Sequence, residues 1–293
     1  MEGEQARKTT MVYRPAYSSQ FAEGKLQSLD PIEPLETITA DWAWGGSTGK
    51  SVRVAVIDSG IDAGHPAIRE VNGYVAVSES PDGIVYDTQP HGDLCGHGTA
   101  CAGIIRALAP ECELYSVRVL GPKLTGQGVA FITGLRWAIE NGMHVCNLSL
   151  STARKEFFAV LHELTDLAYF RNVALVSAAN NLAVPSYPSV YSSVISVGSH
   201  EVQDPYHFYY NPEPPVEFGA LGIDVRVAWL DGRWVTTTGN SFAAPHIAGI
   251  VAKILAKHPG LTLFQLKVIL RALSVNVGRK ARGLDHKSDI PVA

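Results

Sequence analysis

Gly239-Asn240-Ser241-Phe242-Ala243-Ala244-Pro245-His246 sets one serine on a small glycine turn. An apolar segment follows at helical spacing: Phe242, Ile247, Ile250, Val251, Ile254 and Leu255. A serine at a helix start can be an N-cap, its hydroxyl accepting an otherwise unpaired backbone N–H. Taken alone, the cap is the reading to back; the alternative is a nucleophile held rigidly, with the positive end of the helix dipole favouring negative charge that develops beside it. A nucleophile also needs a base and an oxyanion donor, so the rest of the chain decides between the two.

Outward from this stretch, strands and helices alternate. The apolar run over residues 52–57 ends at Asp58-Ser59-Gly60, as a buried parallel strand opening into a loop does. A second strand is predicted over residues 73–77. After the polar stretch 79–93 a helix starts near His97 and carries Ala100, Ala102, Ile104, Ile105 and Leu108. A strand over 113–119 then precedes a helix over 129–140, and a strand over 144–148 precedes a helix over 155–170. Further strands are predicted at 173–178, 194–198 and 225–229. Thr262-Leu263-Phe264-Gln265 is a capping box that opens a last helix through about Leu273. This alternation predicts an α/β fold, a mostly parallel central sheet with helices on both faces. In such sheets function gathers at the carboxyl ends of the strands.

Residues 1–40 have little apolar periodicity and contain Pro31 and Pro34, so they read as an N-terminal arm draped over something else. Residues 41–275 read as one domain, and 276–293, polar and mixed in charge, as a tail. The 293-residue chain is 46% hydrophobic and 18% charged, against a usual charged share of about 25%. That composition fills a core and argues against extensive disorder. With 24 basic and 28 acidic residues, the net charge of −4 gives no electrostatic reason to expect nucleic acid or an anionic membrane as partner. No run approaches the ~18 apolar residues that cross a bilayer. Met1-Glu2-Gly3-Glu4-Gln5 lacks a basic-then-apolar signal pattern, so a cytoplasmic location is expected. Cys95, Cys101, Cys112 and Cys146 are too few for a disulfide framework and are expected as thiols.

Four polar positions fall at strand ends or helix starts. Asp58 ends a strand, His97 begins a helix, Asn180 and Asn181 close the strand through Ser177-Ala178-Ala179, and Ser241 begins the long helix. Singly, each has a dull explanation as a turn, a cap or a tight loop. Together they supply an acid, a base, an amide donor and a hydroxyl. Their order, with the residues around each, resembles the subtilisin-like serine proteases, for which the order Asp…His…Ser is the known one. Val54-Ala55-Val56-Ile57-Asp58-Ser59-Gly60-Ile61-Asp62, with His65-Pro66, is similar to that family's aspartate block. His97-Gly98-Thr99 with Ala102-Gly103 is similar to its histidine block, and Gly239 to Gly249 to its serine block. The segment from Gly134 to Leu150 resembles the stretch that carries the substrate-pairing strand, and the likeness runs from about Trp42 to Leu273.

The resemblance implies a subtilisin-like three-layer fold and a serine endopeptidase acting through an acyl-enzyme on Ser241. His97 would take the hydroxyl proton, and Asp58 would hold the imidazole and stabilise its cation. The side-chain amide of Asn181, with the backbone N–H of Ser241, would donate to the oxyanion. The family has Ala-Gly-Asn where this chain reads Ala179-Asn180-Asn181, so Asn180 takes the glycine position and Asn181 is expected to be the donor. The substrate would be a peptide or protein in extended conformation. It would pair with Ser149-Leu150-Ser151 on one side and be flanked by Gly126-Gln127-Gly128 on the other. Ala178, Ala179 and Asn180 would form the second pocket wall, with Ser186 near its floor. Ser151 and Asn180 put side chains where glycine is usual, so a tighter and more polar pocket is expected.

Secreted members usually carry a tight calcium site. Here Ala67 follows His65-Pro66, and the histidine helix has no room for the calcium loop, so neither metal nor cofactor is expected. The spacing of His91, Cys95, His97 and Cys101 is not a zinc pattern. Cys101, one turn after His97, occupies a position that a thiol-containing branch of the family also fills with cysteine; its bland reading is a small buried apolar residue. Asp62 and Asp93 read as loop caps, and His65, His144 and His246 as structural histidines. About 40 residues precede the core, too few for a folded propeptide of the secreted type. The first 20, including Tyr13-Arg14-Pro15, either restrain activity from beside the cleft or merely pack on the surface. Processing or cyclisation of a particular peptide competes with general turnover, and an inactive peptide-binding module stands as the reading from a different class.

Overall fold

The run Arg53–Asp58 forms strand β1, and its side chains divide between the two faces of a sheet. Val54 and Val56 enter one hydrophobic cluster, Ala55 and Ile57 another. The computed structural model describes residues 14–16, 18–22, 24–25, 38–81 and 83–277. After the short helix α1 (Ala40–Trp44) and β1 come β2 (Gly73–Ser80), β3 (Gly83–Asp87), α2 (His97–Leu108), β4 (Glu113–Arg118), α3 (Gly128–Glu140), β5 (Val145–Leu148) and α4 (Phe158–Phe170). The second half holds β6 (Ala174–Ala178), β7 (Ile195–His200), β8 (Tyr209–Tyr210), β9 (Phe218–Leu221), β10 (Val225–Ala228), β11 (Trp234–Thr237), α5 (Asn240–Lys257) and α6 (Leu263–Leu273).

The nine-stranded sheet has the order β3-β2-β4-β1-β5-β6-β7-β9-β8. The edge strands β3 and β8 pair antiparallel with their neighbours, and every pairing between is parallel. Helices α2, α5 and α6 cover the Val54 face, and α3 and α4 cover the Ala55 face. The fold is therefore the α/β arrangement that the alternation predicts. Strand order reverses at β1, with β4 on one side and β5 on the other. A crevice outside the carboxyl ends of β1 and β5 is where open parallel sheets bind ligands.

The predicted strands and helices are present, with ends shifted by a few residues. Three differences have physical causes. β3 lies in the stretch read as merely polar; it is an exposed edge strand, so one-sided burial never writes an apolar alternation into it. β8 and β9 are short and follow loops rich in proline, and their pairing depends on distant β7. The helix expected over residues 155–170 opens with a 3-10 turn, Lys155–Phe157, before α4. The capping box is present as read: the Thr262 hydroxyl accepts the Gln265 N–H while Gln265 Oε1 accepts the Thr262 N–H. Asn276, counted with the tail, is bonded to Tyr210 of β8 through both its amide atoms. Residues 278–293, and residues 1–13 of the arm, lie outside the described residues.

Two histidines make the fold sensitive to acid. His200 on β7 donates from Nε2 to the His207 carbonyl at 2.6 Å and accepts the Val202 N–H on Nδ1, which fixes a neutral ring. His246 is buried in α5 and donates from Nδ1 to the Phe242 carbonyl. Burial, the largest cause in both, pushes each down to about 4. Such a group stabilises the fold fully above the unfolded value of 6.5, and that contribution is lost as pH falls towards the folded value. At pH 5 each loses about 2 kcal/mol relative to pH 8. His91 and His144 shift the same way, whereas His97 and Glu217 are shifted up and oppose the loss. Urea unfolding of the Ser241→Ala protein, used to prevent self-digestion, should show a midpoint that falls between pH 8 and pH 5. A midpoint that holds constant would contradict the neutral buried pair.

Candidate active site

Asp58 is the last residue of β1 and completely buried. One of its oxygens accepts the Ser59 N–H at 2.8 Å, and both lie 2.9 Å from Nδ1 of His97. With Nδ1 given to the carboxylate, Nε2 is the nitrogen His97 can turn to other work. Burial is the largest influence on this ring and pushes its pKa down. The charge and hydrogen bond of Asp58, with the charge of Asp93, outweigh it and hold the ring above its ordinary value.

Local sequence explains how His97 reaches this place. Asp93 accepts the Thr99 N–H and hydroxyl on one oxygen, and the Ser59 hydroxyl and Cys95 N–H on the other, tying the start of α2 to the end of β1. Asp93 is thus the loop cap expected of it, and Asp62 likewise accepts the Gly64 N–H. Gly98 must lack a side chain, because a Cβ there would lie 2.0 Å from the Gly60 carbonyl oxygen. The histidine helix can approach the aspartate strand only through that glycine.

Ser241 is the second residue of α5, and the cap position is Gly239, which makes no side-chain cap bond. The capping reading of this serine therefore fails. Its hydroxyl has no hydrogen-bond partner among the described residues. Its backbone is held by the consequence of Pro245. A proline four residues on has no N–H for the Ser241 carbonyl. That carbonyl instead accepts the Ser149 hydroxyl at 2.7 Å, with the Cys101 thiol at 3.4 Å. Asn147 in turn donates to the Ser149 oxygen at 3.0 Å. The end of β5, the histidine helix and the serine helix thus meet on one carbonyl.

The two asparagines turn their side-chain oxygens to different backbone N–H groups. Asn181 Oδ1 accepts the Asn240 N–H at 2.9 Å. An N–H must face the oxygen of a side-chain amide, so Nδ2 of Asn181 points the other way. Asn180 instead uses its oxygen on the Leu182 N–H within its own turn.

His97, Ser241, Asn180 and Asn181 all line a cleft of about 620 Å³. So do Gly126, Gln127, Gly128, Ser149, Leu150, Ser151, Ala178 and Ala179. Ser186 is the exception: it is buried, its hydroxyl faces Ser189, and it is not part of that lining. Sequence reading missed other wall residues, among them Leu120, Phe131, Arg154, Phe157 and Trp229. Phe157 carried a usable signal only in Gly128, whose missing side chain makes room for its ring; a Cβ there would lie 2.2 Å from it.

Among the described residues, Asp58, His97 and Cys101 are the group of metal-ligand type side chains that comes together. His97 Nδ1 is already bonded to Asp58, and burial raises the Cys101 thiol far above its ordinary value, so they fit a metal ion poorly. His91 turns to Ser116. Helix α2 runs without interruption from His97 to Leu108. His65 bonds the Arg233 carbonyl and the Ala67 N–H, and His144 accepts the Arg53 N–H, both structural uses.

Comparison with known proteins places this geometry. The subtilase family model matches residues 49–286. The minor extracellular protease Epr of Bacillus subtilis (strain 168) is 33% identical over 261 residues, which is 85% of this chain but 39% of Epr. Subtilisin DY of Bacillus licheniformis is 32% identical, over 80% of this chain and 87% of its own length. The chain thus spans well under half of one relative and most of the other. The crystal structure of a cold adapted subtilisin-like serine proteinase superposes with a TM-score of 0.63 at 26% identity, covering 80% of this chain and 87% of that one. A buried Asp58–His97 pair beside the first turn of α5, on this sheet and with these relatives, makes the chain a member of the subtilase family, the subtilisin-like serine endopeptidases.

Proposed function

We propose that this chain cleaves peptide bonds by acyl transfer through Ser241, with His97 as general base and later acid. Asp58 orients the ring, and Asn181 Nδ2 with the Ser241 N–H receives the oxyanion. The observation that carries this reading is the His97–Asp58 pair at 2.9 Å, with Nε2 left for the hydroxyl of Ser241 in the same cleft. Serine is a poor nucleophile at neutral pH, and a base with a raised pKa is well matched to taking its proton. No helix among the described residues is long and apolar enough to cross a membrane. The four unpaired cysteines support a reducing, cytoplasmic setting.

The substrate is an extended peptide. The ladder of β5 with β6 ends at Leu148, and Thr152 is bridged to Tyr187, so residues 149–151 offer backbone groups outside the sheet. A peptide can add there as a strand. The side chains of Ser151 and Asn180 and the ring of Phe157, packed on Gly128, stand in the cleft wall, which supports selective processing over broad turnover. A peptide-library profile should favour small or polar residues at the cut; a strong preference for large aromatic ones would contradict the narrow pocket.

Fluorophosphonate labelling tests the reaction itself. The adduct should map by mass spectrometry to the peptide carrying Ser241, and unfolded protein should be cut. An absence of labelling under several conditions would favour a binding module. Products one water lighter than the hydrolysed acid, formed with release of the same leaving peptide, would instead show that an amine, not water, resolves the acyl-enzyme.

A further inference from the structure

Asn240, directly before Ser241, is fully buried, and its amide is a junction. Its Oδ1 accepts the Ser199 N–H of β7 at 2.9 Å. Its Nδ2 shares two protons among three carbonyl oxygens, Ala179 at 3.2 Å, Asn180 at 3.1 Å and Ala16 at 3.2 Å. The last of these comes from the N-terminal arm. Ala16 also donates its own N–H to the Asn181 carbonyl at 2.6 Å. One residue of the arm therefore holds both the residue before the nucleophile and the backbone of the oxyanion asparagine.

The arm is seated firmly enough for that task. Ser18 and Phe21 are 2% exposed. The Phe21 ring packs with Ala179, Tyr209 and Val216 and covers Gly219, where a Cβ would lie 2.4 Å from the ring. The Ser18 hydroxyl closes a turn onto the Pro15 carbonyl at 2.6 Å. The Arg14–Glu201 ion pair is solvent-exposed and adds little. None of the described residues between Arg14 and Phe21 lines the cleft, and Ala16 meets the backbone of residues 180 and 181 only through Asn240 and the Asn181 carbonyl.

We infer that the arm is a positioning element: Ala16, anchored through Phe21, fixes residues 179–181 so that Nδ2 of Asn181 stays aimed at the oxyanion. This rests on the acyl-transfer reading above. It reverses the sign of the restraint considered from sequence, because removing residues 14–22 would loosen the site instead of unblocking it. Hydrogen bonds that set the direction of an oxyanion donor act on the transition state more than on bound substrate. Displacement of such a group by a fraction of an ångström costs roughly tenfold in rate.

Ala16→Pro deletes the amide donor, fixes the backbone at 16 and sets a ring carbon against the Asn181 carbonyl, whereas Ala16→Gly keeps the donor. Ala16→Pro, Phe21→Ala and a chain starting at residue 24 should each lower kcat roughly tenfold with KM within about twofold. Ala16→Gly should match the wild type. The decisive measurement places Ala16→Pro in an Asn181→Ala background, whose own loss is about 10²- to 10³-fold, a size established on subtilisin. There the arm has no donor to aim, so Ala16→Pro should cost less than about twofold more. A fully additive loss would show a general structural role and overturn the inference, as would an unchanged kcat in Ala16→Pro. A truncated chain faster than the wild type would restore the restraint reading. A wild type that neither cuts nor labels would instead sink acyl transfer itself, and the arm's role with it.

Discussion

Replacing Ser241 by alanine is expected to lower kcat on the order of a millionfold, a size established on subtilisin itself. The protein should remain folded. Ser241 is not the cap of α5, and its hydroxyl has no partner among the described residues, so the substitution breaks no hydrogen bond of the fold. The carbonyl that binds Ser149 and Cys101 belongs to the backbone and survives. Unfolding stability should therefore move by less than about 0.5 kcal/mol, as for a substitution away from packing and hydrogen bonds. KM should stay close to the wild-type value, because the cleft walls are unchanged. His97→Ala should cost a similar factor, and the double variant scarcely more, since nucleophile and base act as one unit. Activity or fluorophosphonate labelling that persists in Ser241→Ala would move the nucleophile elsewhere.

The parts of this site that could be read from sequence were those encoded within a single segment. The end of β1 at Asp58, the start of α2 at His97 and the start of α5 near Ser241 each follow from an apolar run meeting glycine or a polar turn. The family register names Asn181 over Asn180 as the donor, but it does not show how either amide is turned. In the structure the N–H of Asn240, a residue 59 positions away, takes the oxygen of Asn181. Phe157 against Gly128 and Ala16 against the Asn181 carbonyl are likewise contacts between distant segments, whereas Ser186 turns to Ser189 within its own turn. The arm was the hardest case. Its seat consists of backbone hydrogen bonds and one aromatic anchor, and neither leaves a periodic trace in the sequence.

Asp58→Asn is expected to lower kcat about 10⁴-fold while keeping the fold, and its pH profile carries the sharper test. Asparagine has the shape of aspartate, but its amide can present N–H groups to Nδ1. The ring would then carry its proton on the wrong nitrogen, with no base left to face Ser241. Asp58 also supplies the charge and hydrogen bond that outweigh burial at His97. A general base works only when unprotonated, so a ring held above its usual value sets the acid limb of wild-type kcat/KM above about pH 6.5. With the carboxylate gone, burial remains as a lowering influence and only Asp93 opposes it. The residual activity of Asp58→Asn should therefore rise at lower pH than in the wild type, and the gap between the two should narrow in acid. An acid limb that stays in place would show that some other group titrates it. A variant within about tenfold of wild type would mean that the 2.9 Å contact between Asp58 and His97 holds the structure but does not serve the reaction.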